Sequence, residues 1–147
     1  MATEAPDELA RRVAHAMYER DHAARALGIV IEEAREAASV LTMRVRGDML
    51  NGHGIAHGGV VFALADTAFA YACNSRNEPT VALQCSISFA RAAREGEVLT
   101  ARARERTRSR RTGTYDVEVT GVDGQVVALF LGTAYRRSGS VLSAEEA

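Results

Sequence analysis

From Val60 to Cys73 the chain is apolar at almost every position, and Asp66 with its neighbour Thr67 is the main polar interruption. A run of this length without glycine, proline or strict alternation predicts a helix, and one hydrophobic around most of its circumference belongs in the interior. His57-Gly58-Gly59 precede the run, which places the helix from about Gly58 to Asn74. Upstream, Pro6 and Asp7 open a first helix with Leu9, Val13, Ala16 and Met17 on one side. A short helical piece from Asp21 to Leu27 is stopped by Gly28, so residues 1–27 form a helical cover. Ile29-Val30-Ile31 and Ser39 to Val45 read as strands joined by a turn near Arg35 and Glu36. Arg46 to His57 carries Gly47, Gly52 and Gly54 with no apolar period, and reads as a loop leading into the buried helix.

Strand patterns follow that helix at Val81–Phe89, Val98 to about Thr107, and Thr114–Thr120, the last turning through Asp123-Gly124 into Val126–Tyr135. In the second of these, Leu99, Ala101 and Ala103 alternate with Arg102, Arg104, Arg106 and Arg108, which predicts one buried face and one solvated row of arginines. The order is helix, two strands, one buried helix, then strands in hairpin sequence. An α+β arrangement satisfies it, with a mainly antiparallel sheet wrapped around the central helix so that most of its circumference is covered. The Ser- and Glu-containing segment 138–147 is expected to fray.

Composition then narrows the class. A chain of 147 residues, 47% hydrophobic and 25% charged, suits a single domain, residues 1–147, with a substantial core. A net charge of −1 gives no global support for nucleic-acid binding, although the arginines between positions 102 and 111 suit a small anionic ligand. Cys73 and Cys85 both lie in apolar segments, as reduced core thiols do, which points to the cytoplasm. No secretory start is visible, and the longest apolar run is broken by Asp66 before it reaches membrane-spanning length, so no membrane role is expected.

Asp66 is the leading candidate for chemistry. A carboxylate inside an apolar helix costs free energy unless it is paired or used, and perturbed acids concentrate at functional sites. Phe62, Phe69, Ala70 and Cys73 share its face at helical spacing. The alternative is an acid on the one wet side of the helix, or one that caps a neighbouring backbone.

The stretch Asn51-Gly52-His53-Gly54, then His57-Gly58-Gly59, Phe62 and Leu64-Ala65-Asp66-Thr67-Ala68-Phe69-Ala70-Tyr71-Ala72-Cys73-Asn74-Ser75, resembles the signature of hotdog-fold acyl-coenzyme A thioesterases. It is most similar to the thioesterase family of phenylacetic acid degradation. The resemblance runs from about Val45 to Arg136 and implies a helix wrapped by an antiparallel sheet. It also implies a homodimer with a continuous sheet, commonly a tetramer built as a dimer of dimers, with acyl-CoA as the bound partner and no cofactor or metal.

The chemistry can be argued beside it. A thioester needs attack on its carbonyl and stabilisation of an oxyanion, whereas a thiol of pKa near 8.5 leaves without a strong general acid. Gly58, at the start of the helix, has a backbone N–H with no partner inside the helix and sits at the positive end of the dipole, as an oxyanion donor should. Gly59 keeps the turn uncrowded. The alternative for both is an ordinary loop-to-helix junction. Gly58 and Asp66 are eight residues apart, about 12 Å along one helix. One helix cannot bring both to one carbonyl, but two antiparallel helices related by a two-fold axis can.

The resemblance gives Asn51 the task of orienting the water or the thioester, while His57 is expected to hold the loop and His53 to lie exposed in it. Asp66 acts as general base or as nucleophile, and the sequence leaves both open. Some relatives place a second polar group on the strand after the helix; here Ala82 occupies that position beside Leu83, with Gln84 or Thr67 as substitutes. Phe62 and Tyr71 are expected to line a pocket for an aryl acyl group such as phenylacetyl or hydroxyphenylacetyl, and Arg108, Arg110 and Arg111 to meet the phosphates of CoA. Competing readings are a hotdog hydratase or dehydratase, a non-catalytic acyl-CoA-binding protein, and a metal hydrolase on His53, His57 and Asp66. Gly54 and Gly58 argue against the last, because its histidine spacing works only on a helix.

Overall fold

The computed structural model describes residues 3–147. The element order is α1 (Pro6–Arg20), α2 (His22–Ala26), β1 (Val30–Arg35), β2 (Ala38–Arg44), a 3-10 turn (Gly47–Met49), α3 (Gly58–Cys73), β3 (Thr80–Phe89), β4 (Val98–Arg108), β5 (Thr112–Thr120) and β6 (Val126–Arg136). Pro6 stands in the first turn of α1 with Asp7 and Glu8, where its missing N–H is not needed and acidic groups meet the helix dipole. Asp21 caps α2 by accepting the Ala24 N–H at 3.1 Å, and Gly28 ends it with φ +69°.

Six strands form one antiparallel sheet in the order β1-β2-β4-β5-β6-β3. Their inward side chains, among them Leu41, Met43, Leu99, Ala101, Val117 and Val119, are buried together with Leu64, Ala65, Ala68, Phe69 and Ala72 of α3. Burying a Leu or Phe of this kind is worth about 1.5–3 kcal/mol, which is why the apolar helix seeks the sheet. Alanines at 101 and 103 on β4, and at 65, 68 and 72 on α3, leave room for close approach. Ser39 Oγ on β2 donates to the Ala68 carbonyl at 2.6 Å, fixing helix to sheet. The antiparallel sheet around a central helix, expected from the pattern and implied as a hotdog fold by the resemblance, is therefore present.

Two features differ from the sequence reading. The strand after α3 does not form a hairpin with β4; β2 occupies that side of β4, and β3 instead pairs with β6 and becomes the sheet edge. The segment after Arg137, expected to fray, lies against α1. Leu142 is buried with Val13 and Ala16, its N–H donates to Asn77 Oδ1 at 2.8 Å, and Glu146 pairs with Arg20 at 2.9 Å. Leu142 thus packs on the same apolar side of α1, Val13 and Ala16, that the pattern marks.

The row of arginines on β4 faces outward as expected, with Arg104 and Arg106 sharing Asp116 of β5 at 3.1 and 3.4 Å. No helix among the described residues is long and apolar enough to cross a membrane.

Candidate active site

The loop before α3 is held at several points. The Asn51 N–H donates to the Ile55 carbonyl, the Ala56 N–H to Ala93 and the His57 N–H to Met49, each at 2.8 Å. Asn51 Oδ1 accepts the amides of His53 at 2.9 Å and Ile55 at 3.4 Å, so its carbonyl oxygen folds the loop, while its Nδ2 makes no hydrogen bond among the described residues. His57 is the N-cap of α3, its Nδ1 accepting the Gly59 N–H at 3.0 Å. A side chain at 59 would crowd that ring, since a Cβ there would lie 3.2 Å from Nδ1. Gly58 is the first helical residue, so its N–H has no acceptor within the helix. A Cβ at 58 would lie 3.1 Å from the Phe89 ring. Asn51, Gly58, Val61, Phe89, Arg91 and Val127 are among the walls of one hollow of about 340 Å³.

Asp66 lies two turns further along α3. It is half-buried, in a second hollow of about 420 Å³ with Met17, Phe69, Cys73, Val81 and Ala82 among its walls. Burial first, and then the charge of Asp21, hold its carboxyl above the ordinary Asp range. Thr67 Oγ1 donates back to the Ala63 carbonyl at 2.6 Å, so this hydroxyl is engaged by its own helix. Ala82, at the position that carries a second polar group in some relatives, lines the Asp66 hollow with a methyl. Asn74 locks this end: its Nδ2 donates to the Ala70 and Thr80 carbonyls and its Oδ1 accepts the Thr80 N–H, tying α3 to the start of β3.

Within one chain, then, the two groups of candidate residues occupy separate hollows, and β3 spans them. Thr80, Val81 and Ala82 at its start line the Asp66 hollow, while Phe89 at its end lines the Gly58 hollow. Residues 53–128 match the thioesterase superfamily. The chain belongs to that superfamily. Over 128 residues it is 49% identical to the acyl-coenzyme A thioesterase PaaI of Escherichia coli strain K12, covering 87% of this chain and 91% of that protein. The solved structure of E. coli PaaI, from the phenylacetic acid degradation operon, superimposes with a TM-score of 0.91 at 47% identity, over 92% of this chain and 99% of that one. A hypothetical thioesterase protein from Streptococcus pneumoniae solved with coenzyme A aligns with a TM-score of 0.79 at 29% identity, over 84% of this chain and 98% of the other.

Other residues expected in a thioesterase site are scattered. Phe62 stands on the half-exposed side of α3 and packs edge-on against Phe130, with ring centroids 5.4 Å apart. Tyr71, expected in the acyl pocket, lines neither hollow. It is 2% exposed and donates its hydroxyl to Asp21 Oδ2 at 3.3 Å. Five residues rotate a helix by about 140° beyond a full turn, so Tyr71 turns away from Asp66 toward the loop before α2. Phe89 is the aromatic residue that reaches Gly58, and in sequence it looks like any strand residue.

Arg108, with Arg136, pairs with Glu78. Arg111 donates to the Tyr135 hydroxyl at 3.3 Å, and Arg110 makes no ion pair among the described residues. Arg108 and Arg111 surround a cleft whose walls include Cys73 and Thr80, the same two residues that edge the Asp66 hollow. No group of three or more His, Cys, Asp or Glu is gathered as a metal site among the described residues. His53 is exposed, and His57 is engaged at the helix cap.

Proposed function

We propose that the protein hydrolyses acyl-CoA thioesters as a homodimer whose two active sites each join the Asp66 hollow of one protomer to the Gly58 hollow of its partner. The observation that carries this reading is the position of the two hollows at opposite ends of both α3 and the edge strand β3. Antiparallel pairing of two β3 edges about a two-fold axis sets the start of one strand beside the end of the other, and so each Asp66 hollow beside a Gly58 hollow. Val81, Leu83 and Phe89 of β3 are 47%, 62% and 54% exposed, and Gly59, Phe62, Ala63, Asp66, Thr67 and Ala70 form an incompletely covered stripe along α3. Both surfaces are apolar enough to welcome a second copy. Two such dimers joined into a tetramer accord with the family resemblance.

In the composite site the thioester carbonyl oxygen lies at the Gly58 N–H, where the dipole of α3 favours developing negative charge. Asn51, whose Nδ2 has no partner among the described residues, orients the thioester. Asp66 takes a proton from water, the resulting hydroxide adds to the carbonyl carbon, and the oxyanion collapses to break the C–S bond. CoA leaves as thiolate and recovers the proton from Asp66. A carboxyl held above its ordinary range is a stronger base for the first step. His57 keeps the loop and the first turn of α3 in place, and Gly59 admits its ring.

The acyl group is an arylacetyl, phenylacetyl or hydroxyphenylacetyl, with Phe89 and the half-exposed Phe62 as its aromatic neighbours. Arg108, Arg110 and Arg111 meet the CoA phosphates, beside the cleft that adjoins Asp66. The two free thiols suit a reducing cytoplasm. A thiol-release assay across aryl and alkyl acyl-CoAs tests the reading. Higher kcat/KM for arylacetyl-CoA esters than for straight-chain esters supports it; absence of free thiol from any saturated acyl-CoA rejects it.

A further inference from the structure

Residues 137–147, after β6, form a strap tied both to α1 and to the turn that follows α3. Leu142 is buried with Val13 and Ala16 of α1. Asn77, in the left-handed conformation that asparagine tolerates (φ +64°), accepts the Val141 N–H on its carbonyl at 3.3 Å and the Leu142 N–H on Oδ1 at 2.8 Å. The Arg137 N–H donates to the Pro79 carbonyl at 2.7 Å, and Arg20 of α1 donates to Glu146 at 2.9 Å and to the Val141 carbonyl at 3.4 Å. Val141 is thus held at both its N–H and its carbonyl. Its side chain and that of Met17 on α1 are half-buried against the Leu142 cluster, and both residues line the Asp66 hollow beside Phe69, Val81 and Ala82. We propose that Val141 and Met17 are specificity-determining residues of the thioesterase, the strap holding Val141 as an apolar wall against which the acyl group of the substrate packs. This rests on the proposed role of Asp66 as base, which sets the acyl carbon beside the hollow.

The chemistry of this wall selects the acyl side of the thioester over the thiol side. Met17, Phe69, Val81, Ala82 and Val141 offer no strong hydrogen-bonding group, so the amides and hydroxyl of the pantetheine arm would lose water there without replacement. An arylacetyl group loses only apolar surface to water, which is favourable. Two polar residues on the same walls do not alter that balance: the Asn74 amide is already engaged by Ala70 and Thr80, and Arg137 is exposed at the surface. Because the strap is anchored by its own hydrogen bonds and by Leu142, the wall stands in place before substrate arrives. Selection by it then needs no ordering of the strap on binding.

The experiment compares kcat/KM for phenylbutyryl-CoA with that for phenylacetyl-CoA, so that each variant is read as a ratio between two acyl groups on the same thiol. Val141→Ala and Met17→Ala should each raise the ratio by roughly tenfold and Val141→Phe should lower it, since one methylene in an apolar pocket discriminates by about 10- to 200-fold. Asn77→Gly keeps the left-handed turn but removes the Oδ1 that holds Leu142, and residue 77 is not on the hollow's walls. It should move the ratio in the direction of Val141→Ala, by a smaller factor. Inhibition by free CoA, which carries the thiol arm and no acyl group, should be unchanged in all four, and thermal melts establish that each is folded. If the folded Val141→Ala and Val141→Phe enzymes keep the wild-type ratio, or alter only the inhibition by free CoA, the inference is overturned while the thioesterase reading stands. If the wild-type protein releases thiol from neither ester nor from any other saturated acyl-CoA, the thioesterase reading fails instead, and with it the role given to the wall.

Discussion

His57 gives its Nδ1 to the Gly59 N–H at 3.0 Å, one residue beyond the amide of Gly58. The capping bond uses the second amide of α3 and leaves the first without an acceptor inside the helix. It also commits the imidazole nitrogen that a general base would need, so in the proposed site His57 would shape the oxyanion position and not act as base.

His57→Asn, which keeps a capping oxygen, should therefore retain most of the turnover number. His57→Ala should lower stability by about 0.5–2 kcal/mol, the usual cost of a lost N-cap. Thermal unfolding and steady-state kinetics on the two variants check this together. A His57→Asn enzyme as stable as wild type but inactive would assign the imidazole a chemical role.

Asp66→Asn should reduce turnover by about 10²- to 10⁴-fold, the range general base catalysis supplies. The same variant should be at least as stable as wild type at pH 7. The folded carboxyl is held above its unfolded value by burial and by Asp21. The stability linked to its proton is therefore complete below the unfolded pKa and is lost as pH rises through the folded one, so the ionised form is the costly one at neutrality. Asparagine removes that cost. Thermal melts at pH 5 and pH 7 should show the variant's advantage growing with pH. In single-turnover reactions in ¹⁸O-labelled water, the label should enter the released acid and not the peptide bearing Asp66.

Much of this arrangement was legible in the chain, and the parts that were not share a cause. The apolar run of α3, the alternation of Leu99, Ala101 and Ala103 on β4, and the glycines before the helix are local signals, and the corresponding elements form within one or two residues of the expected limits. Placing β3 beside β6 depends on β2 having claimed the flank of β4, a non-local competition that no strand records by itself. Tyr71 shares a helix with Asp66 but not a face, and its partner Asp21 is distant in sequence. Phe89 is brought to Gly58 only by the fold, where a Cβ at 58 would crowd its ring.

If Arg108, Arg110 and Arg111 meet CoA as proposed, their variants separate nucleotide binding from chemistry. Arg110→Ala and Arg111→Ala should each raise KM for CoA esters by about two- to fivefold, as exposed ionic contacts do, with little change in kcat. A truncated thioester lacking the nucleotide should be hydrolysed as well by the variants as by wild type. Arg108→Ala should combine the KM effect with a lower melting temperature, because it also takes a partner from Glu78. Equal losses on both substrates would mean that all three act through folding.

The proposed sharing of each site between two subunits makes a stricter demand. Asp66→Asn subunits and Gly58→Val subunits should each be nearly inactive alone, the latter because its side chain must displace the Phe89 ring and fill the oxyanion position. Mixed by co-refolding, they should regain activity, because each hybrid dimer contains one site with an intact Gly58 from one chain and an intact Asp66 from the other. With random pairing half the dimers are hybrid and each has one good site of two, so recovery approaches about one quarter of wild-type turnover. Size-exclusion chromatography must show that Gly58→Val still pairs, and differently tagged subunits must show that hybrids form. Hybrids that form and stay as inactive as either parent would place Gly58 and Asp66 in one chain's site, which the 12 Å or so between them along α3 does not allow for a single carbonyl. That outcome would remove one of the two residues from the chemistry.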